Sequence, residues 1–386
     1  MDSGGVMVRV RWSSLAICSI VWVCDAASAA TPPSAIGTIN ACVVQAAAQL
    51  GFNGNIYVRL GSGTLEKSFG TSDLVLKIPN TSRTRFNIAS AGKMFTAVGI
   101  GLLVDRHLVQ FDAPISRYLK DLKPDVGSIT VAELLNHTSG LGNYFDPRNS
   151  AIIEAAHTAT DLLSAALMEP VAFAPGSKRA YSNSGFVVLG AIIEKVSGLP
   201  YADFVQKEIL GTLHMTHTEF DATDAAVPMS RMSPEGMRKD AQAVAPVFLR
   251  SSPAGGIYST AEDISIFLSA LSDNRLLTRE TLSSLLMARV DPGGGDKLYG
   301  YGFNVRPDFP RRVGHGGGAP GINAEIALYP DSKTQIIALS NRDPPTATRM
   351  ITVLEKAIFA PEPKSACVEA LADPALRAPM AMLSSR

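Results

Sequence analysis

The chain carries no surplus of charge. Lys and Arg number 35, Asp and Glu number 35, and all four together make up 18% of its 386 residues. That balance excludes a whole-protein electrostatic grip on nucleic acid or on an anionic membrane. Yet 46% of the residues are hydrophobic, too many for a disordered chain. Long apolar runs are scarce. Past the N-terminus none approaches the roughly 20 residues of a membrane-spanning helix. Histidine numbers 6 and cysteine 4. His214 and His217 stand three apart, but no partners at zinc spacing accompany them, so no metal site is expected. No glycine loop leads into Lys-Ser/Thr, so no nucleotide cofactor is implied, and nothing else in the sequence calls for a cofactor. Internal repeats and low-complexity tracts are absent.

The N-terminus does have an apolar run. Arg9 and Arg11 precede Trp12–Val23, and Ala27-Ser28-Ala29 follows. A basic start, a short apolar stretch and an A-x-A site form a secretory signal pattern. Residues 1–29 are therefore expected to be a cleaved leader, which places the mature chain in the periplasm or outside the cell without stable membrane insertion. The leader explains part of the mean hydropathy of +0.14. Cys42 and Cys367 remain in the mature chain. Export puts them in an oxidising compartment. They pair only if the chain ends lie together; otherwise they are two buried thiols.

Length predicts two to three domain-sized units. Ser34–Leu50 has helical spacing and stops at Gly51. Asn55–Leu60 and Thr64–Phe69 alternate as a hairpin. Phe86–Ala89 is a short strand candidate, and Ala91–Asp105 is apolar nearly all round, as a buried helix would be. From about 107 to 245 helices dominate, including one opened by the capping box Thr130-x-x-Glu133, then Asp161–Met168, then Phe186–Val196 ended by Gly198. Thr260-x-x-Asp263 opens another helix. Tyr301–Val305, Arg311–Gly314, Asn323–Leu328 and Gln335–Leu339 read as strands, and Thr346–Phe359 as a closing helix. The economical architecture is α+β: one antiparallel sheet built from both chain ends, 30–106 and 246–386, with a helical domain, 107–245, inserted between. The first and last helices would share one sheet face.

Three short patterns carry chemistry. Ser90-x-x-Lys93 opens the most apolar helix, and residues at i and i+3 share a helix face. A serine hydroxyl needs a base, and a lysine in apolar surroundings is pushed toward its neutral, basic form. The plain alternative is a lysine reaching out to solvent. Tyr181-x-Asn183 follows the turn Pro175-Gly176; tyrosine can shuttle a proton and asparagine both donates and accepts. Alternatively, Asn183 only caps the next helix. His315-Gly316-Gly317-Gly318 lets backbone approach a ligand closely, or is only a glycine-rich turn. Asn143 and Tyr144 are candidates for lining the same cleft, or for packing beneath it. His137 reads as a loop brace.

Taken together and in this order, the three patterns resemble the motif set of the penicillin-recognising serine hydrolases. The branch resembled holds class C β-lactamases, D,D-carboxypeptidases, D-aminopeptidases and β-lactamase-like esterases. The resemblance runs from about residue 53 to 345, with support from Phe86–Ser90, Leu134–Leu141 and Pro253–Gly256. It implies a β-lactamase/transpeptidase-like fold, with helices on both faces of the sheet and an inserted all-helical domain. It also implies roles. Ser90 is the nucleophile, Lys93 its proton-transfer partner, and Tyr181 the base for acylation and acid toward the leaving group. Asn183 orients Lys93 and binds the substrate amide, with His315 and Gly317 also on the substrate. The backbone N–H groups of Ser90 and Gly318 form an oxyanion hole, each donor worth about 3–4 kcal/mol. The same fold brings the first and last helices together, which favours a Cys42–Cys367 bridge.

One departure bears on substrate. The β-lactamase third motif is Lys-Thr-Gly, whereas this chain has His315-Gly316-Gly317. A part-charged histidine and a glycine without a hydroxyl weaken the case for β-lactam hydrolysis. They favour small esters, amides or D-amino-acid peptides, without an obligatory carboxylate. Arg342 is a weak candidate for the missing charge. The competing readings are a β-lactamase or penicillin-binding D,D-peptidase, and a non-enzymatic module that binds cell-wall peptide. The sequence does not specify an oligomeric state.

Overall fold

The computed structural model describes Met1 and residues 33–233, 236–242, 252–290 and 298–377. The expected leader, apart from Met1, lies outside the described residues.

In chain order, α1 (Pro33–Leu50) leads into the hairpin β1 (Gly54–Leu60) and β2 (Gly63–Phe69). A small hairpin, β3 (Thr71–Asp73) and β4 (Ile78–Pro79), and a short strand, β5 (Phe86–Asn87), precede α2 (Lys93–Asp105). Six helices follow: α3 (Pro124–Gly127), α4 (Val131–Leu135), α5 (Ser150–Ala155), α6 (Leu163–Ala166), α7 (Asn183–Ser197) and α8 (Tyr201–Val205). Next come β6 (Met229–Ser233), β7 (Gly236–Gln242), β8 (Tyr258–Ser259), α9 (Ala261–Ser272) and α10 (Arg279–Leu286). The meander is β9 (Leu298–Tyr299), β10 (Asn304–Arg306), β11 (Arg312–Ala319), β12 (Ile322–Tyr329) and β13 (Thr334–Ser340). The described chain closes with α11 (Thr346–Phe359), α12 (Pro363–Ala372) and α13 (Pro374–Arg377).

Both chain ends build one antiparallel sheet, in the order β2-β1-β13-β12-β11-β10-β9. Between β1 and β12 runs β13, every residue of which is buried. Burial on both sides explains its unbroken apolar reading, because helices cover each face. On one face α1, α11 and α12 pack over Ile56, Val58, Ile336 and Ala338. On the other, α9 and α2 join the helical segment in a continuous core through Ile337, Leu339, Phe95 and Phe186. The first helix and α11 share a face, as the element order predicts. Cys42 on α1 and Cys367 on α12 form a disulfide with Cα atoms 5.9 Å apart.

Local signals placed several ends well. Thr130 accepts from the Glu133 N–H, and Glu133 accepts from the Thr130 N–H at 2.7 Å. Gly198 ends α7 at φ +73°, a conformation that suits glycine. Other expectations need correction. The segment 107–245 is not all helical, because the β6–β7 hairpin lies within it. Helix α6 is only four residues long, shorter than Asp161–Met168. The His315–Gly318 stretch is not a turn after a strand but the body of β11, paired residue for residue with β12. Helix α12 was not foreseen; Pro363 at its start opens it rather than breaking it. Among the described residues no single helix is long and apolar enough to cross a membrane.

Candidate active site

Ser90 sits in a one-turn 3-10 segment, Ala89–Gly92, that leads into α2. The turn is tight and crowded. Ala89 has φ +45°, a region costly for a residue with a Cβ. The Asn87 side chain accepts from its N–H at 2.8 Å and holds it there. Two glycines press on the turn from either side. A Cβ on Gly255 would stand 2.7 Å from the Ala89 carbonyl oxygen, and one on Gly317 would stand 2.0 Å from that of Ile88. Only glycine allows this approach, so β11 and the 253–256 loop clamp the Ser90 turn directly.

Lys93 is wholly buried at the start of α2. Its Nζ meets Asn183 Oδ1 at 2.7 Å, the Ala254 carbonyl at 2.5 Å and Ser90 Oγ at 3.4 Å. No carboxylate is among these partners. The amine also faces the rings of Tyr181 and Phe186, 4.9 and 5.3 Å from their centroids. Burial holds its pKa well below the ordinary 10.5, because desolvation penalises the ammonium form. Thr96, one turn on, bonds the Pro253 carbonyl and the Tyr201 hydroxyl, and so ties the loop carrying Ala254 to α2.

Tyr181 and Asn183 arrive on the far side, where a loop enters α7. Ser182 caps the helix by accepting from the Gly185 N–H. Tyr181 is 37% exposed, yet its hydroxyl end is enclosed near Ser90. Burial pushes the phenol above its ordinary 10; the nearby Ser90 hydroxyl and the Arg179 charge oppose this. Asn183 gives its Nδ2 to Asn143 Oδ1 at 2.7 Å, and its backbone N–H goes to the same oxygen at 3.1 Å. Asn143, which is exposed, therefore fixes the amide so that its oxygen faces Lys93. Tyr144 does not line the cleft as expected. It is 1% exposed and bonds Ser252 at 2.7 Å, because the loop turns its ring inward beneath Asn143.

The third motif behaves differently from the sequence expectation. His315 is buried in β11. Its Nδ1 lies 2.5 Å from the Gly316 carbonyl oxygen, which can only accept, so Nδ1 carries the hydrogen. Nε2 then accepts from the Tyr299 hydroxyl at 3.0 Å. Burial, the largest cause, lowers its pKa to about 3. His315 is thus neutral rather than part-charged, and both ring nitrogens are engaged inside the protein. Its place is behind the cleft wall, where it orients Tyr299.

His137, with φ +65°, accepts from the Ser182 N–H and lies among Tyr181, Phe186 and Tyr299, with centroids 4.3, 5.3 and 4.7 Å away. It braces the loop, as its motif suggested. Three contributors escaped the sequence reading: the Ala254 carbonyl, Tyr299 and Arg179. Arg179 is half-buried and stands 5.3 Å from the Tyr299 ring centroid. Its position two residues before Tyr181 was the available signal. Arg342 is half-buried beyond β13, bridging to Met229. Among the described residues no group of His, Cys, Asp and Glu could hold a metal.

A Ser-x-x-Lys turn at the head of a buried helix, a desolvated lysine, and a Tyr-x-Asn arm with a glycine-rich strand of the sheet beside them define the serine β-lactamase-like superfamily. Comparison with known proteins agrees. The profile of the Beta-lactamase family matches residues 41–357. The chain belongs to that family, whose fold is shared by serine hydrolases. It is 30% identical over 325 residues to penicillin-binding protein 4* of Bacillus subtilis, covering 76% of this chain and 69% of that one. The crystal structure of a penicillin-binding protein from Bacillus halodurans superposes with a TM-score of 0.73 at 27% identity, over 81% of this chain and 98% of that one. A D-amino acid amidase from Ochrobactrum anthropi SV3, complexed with L-phenylalanine amide, superposes with a TM-score of 0.71 at 25% identity, over 88% and 99%.

Proposed function

We propose that this protein is an exported serine hydrolase that acts through a Ser90 acyl-enzyme on small esters, amides or D-amino-acid peptides. The observation that carries this reading is the set of partners around Lys93. A neutral amine has two N–H bonds and one lone pair. Asn183 Oδ1 and the Ala254 carbonyl can only accept, so they take the two hydrogens. The lone pair is left for the third partner, the Ser90 hydroxyl. Desolvation favours this neutral state, while it keeps the Tyr181 phenol protonated. Between the two candidates for the base, Lys93 is the one with a free electron pair.

In acylation Ser90 Oγ attacks the carbonyl carbon, and its proton passes to Lys93 as the O–C bond forms. The carbonyl electrons move onto oxygen, held by the backbone N–H groups of Ser90 and Gly318. Collapse breaks the bond to the leaving group, which takes the Tyr181 proton, and Lys93 restores it. Water then attacks the acyl carbon by the same route, and Ser90 leaves with its hydrogen. Asn183, held by Asn143, keeps Lys93 aligned and offers an amide to the substrate. The neutral His315 and the missing hydroxyl at Gly316 weigh against β-lactams. The amidase relative supports amide chemistry. The leader pattern and the disulfide support export, and the split of the chain into a two-part sheet unit and a central insertion fits this reading.

Ser90→Ala should abolish both hydrolysis of p-nitrophenyl esters and labelling by a fluorophosphonate. Turnover retained in that variant would refute the assignment. The Bacillus subtilis relative's name favours a second reading, a penicillin-binding D,D-peptidase or slow β-lactamase. Stable labelling by a fluorescent penicillin, without cleavage of a chromogenic cephalosporin, would select it.

A further inference from the structure

A lysine base keeps its lone pair on Ser90 only while both acceptors of its hydrogens stay in place. Asn143 holds the Asn183 amide. The other acceptor, the Ala254 carbonyl, belongs to a loop. The Ala254 N–H donates to Ser252 Oγ at 3.2 Å, and the Gly255 N–H donates to the Ser252 carbonyl at 2.9 Å. In a trans peptide unit the N–H and the C=O point opposite ways. With its N–H turned to Ser252, the Ala254–Gly255 unit sends its carbonyl the other way, to Lys93 Nζ.

The same loop is wedged between two helices. A Cβ on Gly190 of α7 would stand 2.1 Å from Pro253 Cγ, and one on Gly92, just before α2, would stand 3.2 Å from Gly255 Cα. What fixes its rotation is the Pro253 carbonyl. That oxygen can only accept, so the Thr96 hydroxyl, 2.6 Å away, donates to it. Thr96 Oγ1 in turn accepts from the Tyr201 hydroxyl at 2.7 Å. Burial pushes the Tyr201 phenol above its ordinary 10, so its hydrogen stays in place. Both side chains are buried, and solvent does not stand in for either bond. A hydroxyl chain of fixed direction thus runs from α8 through α2 to the loop that faces Lys93.

We propose that Thr96 and Tyr201 are positioning residues for catalysis: their hydroxyl chain anchors the Pro253 carbonyl, which aims the Ala254 carbonyl at Lys93 and keeps the amine's lone pair on Ser90. This deepens the acyl-enzyme reading and rests on it. Neither side chain is bonded to Ser90 or Lys93; both act through the loop. An acceptor stabilises an ammonium more than a neutral amine. Losing the Ala254 carbonyl therefore lowers the Lys93 pKa further and leaves the lone pair unaimed. The titratable groups that face the amine are Tyr181, His137 and His315, with the Arg179 charge acting on all three. None of these is bonded to Thr96 or Tyr201, so substitutions there leave them in place.

The test needs no known substrate. The rate of fluorophosphonate labelling at Ser90, followed against pH, reads the base directly. T96V keeps the shape of the side chain and loses the hydroxyl. T96V/Y201F also removes the phenol that T96V would strand, which relieves a purely structural defect. Both should label about 10- to 100-fold more slowly than the wild type, the cost of one unmet buried acceptor, with the acid limb moved to lower pH. T96S keeps the hydroxyl and should stay close to the wild type. A double variant that labels at the wild-type rate, or labels slowly with an unmoved limb, overturns the proposal. Y201F alone removes only the hydrogen that directs Thr96 and should move the limb the same way by less. If the valine variants do not fold, an unmoved limb in Y201F overturns the proposal. A second arm is independent of labelling. The Lys93 ε-carbon resonance, in protein carrying isotope-labelled lysine and assigned by its absence from Lys93→Met, should titrate at lower pH in Y201F and T96V/Y201F than in the wild type. An unchanged titration overturns the proposal. Absence of labelling in the wild type would instead refute the acyl-enzyme reading, and the resonance still decides the positioning of Lys93.

Discussion

Replacing Lys93 by Met tests the state of the amine without needing a substrate. In the unfolded chain Lys93 holds its proton below about pH 10.5, whereas in the fold burial holds its pKa well below that value. Entering the fold as a neutral amine at pH 7 therefore costs about 5 kcal/mol, the price of removing a proton from a group with pKa 10.5. Met keeps the length and drops the nitrogen. It also strands two acceptors, Asn183 Oδ1 and the Ala254 carbonyl, at about 1–3 kcal/mol each. At pH 7 the variant should range from about 1 kcal/mol less stable to about 3 kcal/mol more stable. The slope decides the matter. Unfolding the wild type takes up a proton between the folded pKa and 10.5, so its stability rises with pH by about 1.4 kcal/mol per unit relative to the variant. The gap should shift by about 3 kcal/mol in the wild type's favour from pH 7 to 9. Urea denaturation at pH 7, 8 and 9, with the disulfide intact, measures it. A gap independent of pH would mean that Lys93 carries its proton in the fold and cannot serve as the base.

Gly317→Ala drives a methyl to 2.0 Å from the Ile88 carbonyl oxygen. It should cost about 1–3 kcal/mol of stability and at least 100-fold in kcat, read from denaturation and ester hydrolysis; an unchanged kcat would refute the clamp on Ser90. Removing the Cys42–Cys367 bridge by double Ser substitution opens a loop with a sequence separation of 325. The chain-entropy model puts the loss at about 5–6 kcal/mol, while kcat at low temperature should hold, because the bridge lies under the sheet face away from Ser90. A loss below about 1 kcal/mol would contradict it. The activity profile should rise with pH as Lys93 gives up its proton, and stay high until Tyr181, held above 10, begins to ionise. With His315 at about 3, the acid limb should persist in His315→Asn; its disappearance would show that the histidine is the titrating group.

Much of the fold was legible because its signals are local. Thr130 and Glu133 cap within three residues, Gly198 ends a helix by its own backbone freedom, and the alternation in β1 and β2 reports one hairpin. The reading failed where tertiary context overrode such signals. Glycines usually mark turns, so His315–Gly318 looked like one; the Ile88–Ser90 backbone needs side-chain-free strand there. Thr346–Phe359 was read as the closing helix, yet Pro363 in a first turn opens α12 beyond it. The β6–β7 hairpin carries a polar, irregular sequence with no clean period.

The candidate site divides in the same way. Ser90 and Lys93 are joined by helix geometry alone, and Tyr181 and Asn183 by a single turn, so the sequence determined which groups the chain owns and how each pair is spaced. Only the tertiary structure brought the two pairs together and decided their states. The pKa of Lys93 falls well below 10.5 because residues far along the chain exclude water from it. His315 is neutral because burial in the strand desolvates it, which outweighs the opposite pull of the Gly316 carbonyl. Tyr144 faces inward, and Arg179 reaches the cluster, through contacts that no spacing encodes. Desolvation and charge act through space, whereas periodicity and capping act along the chain. That difference is why the chemistry was readable in kind but not in its protonation.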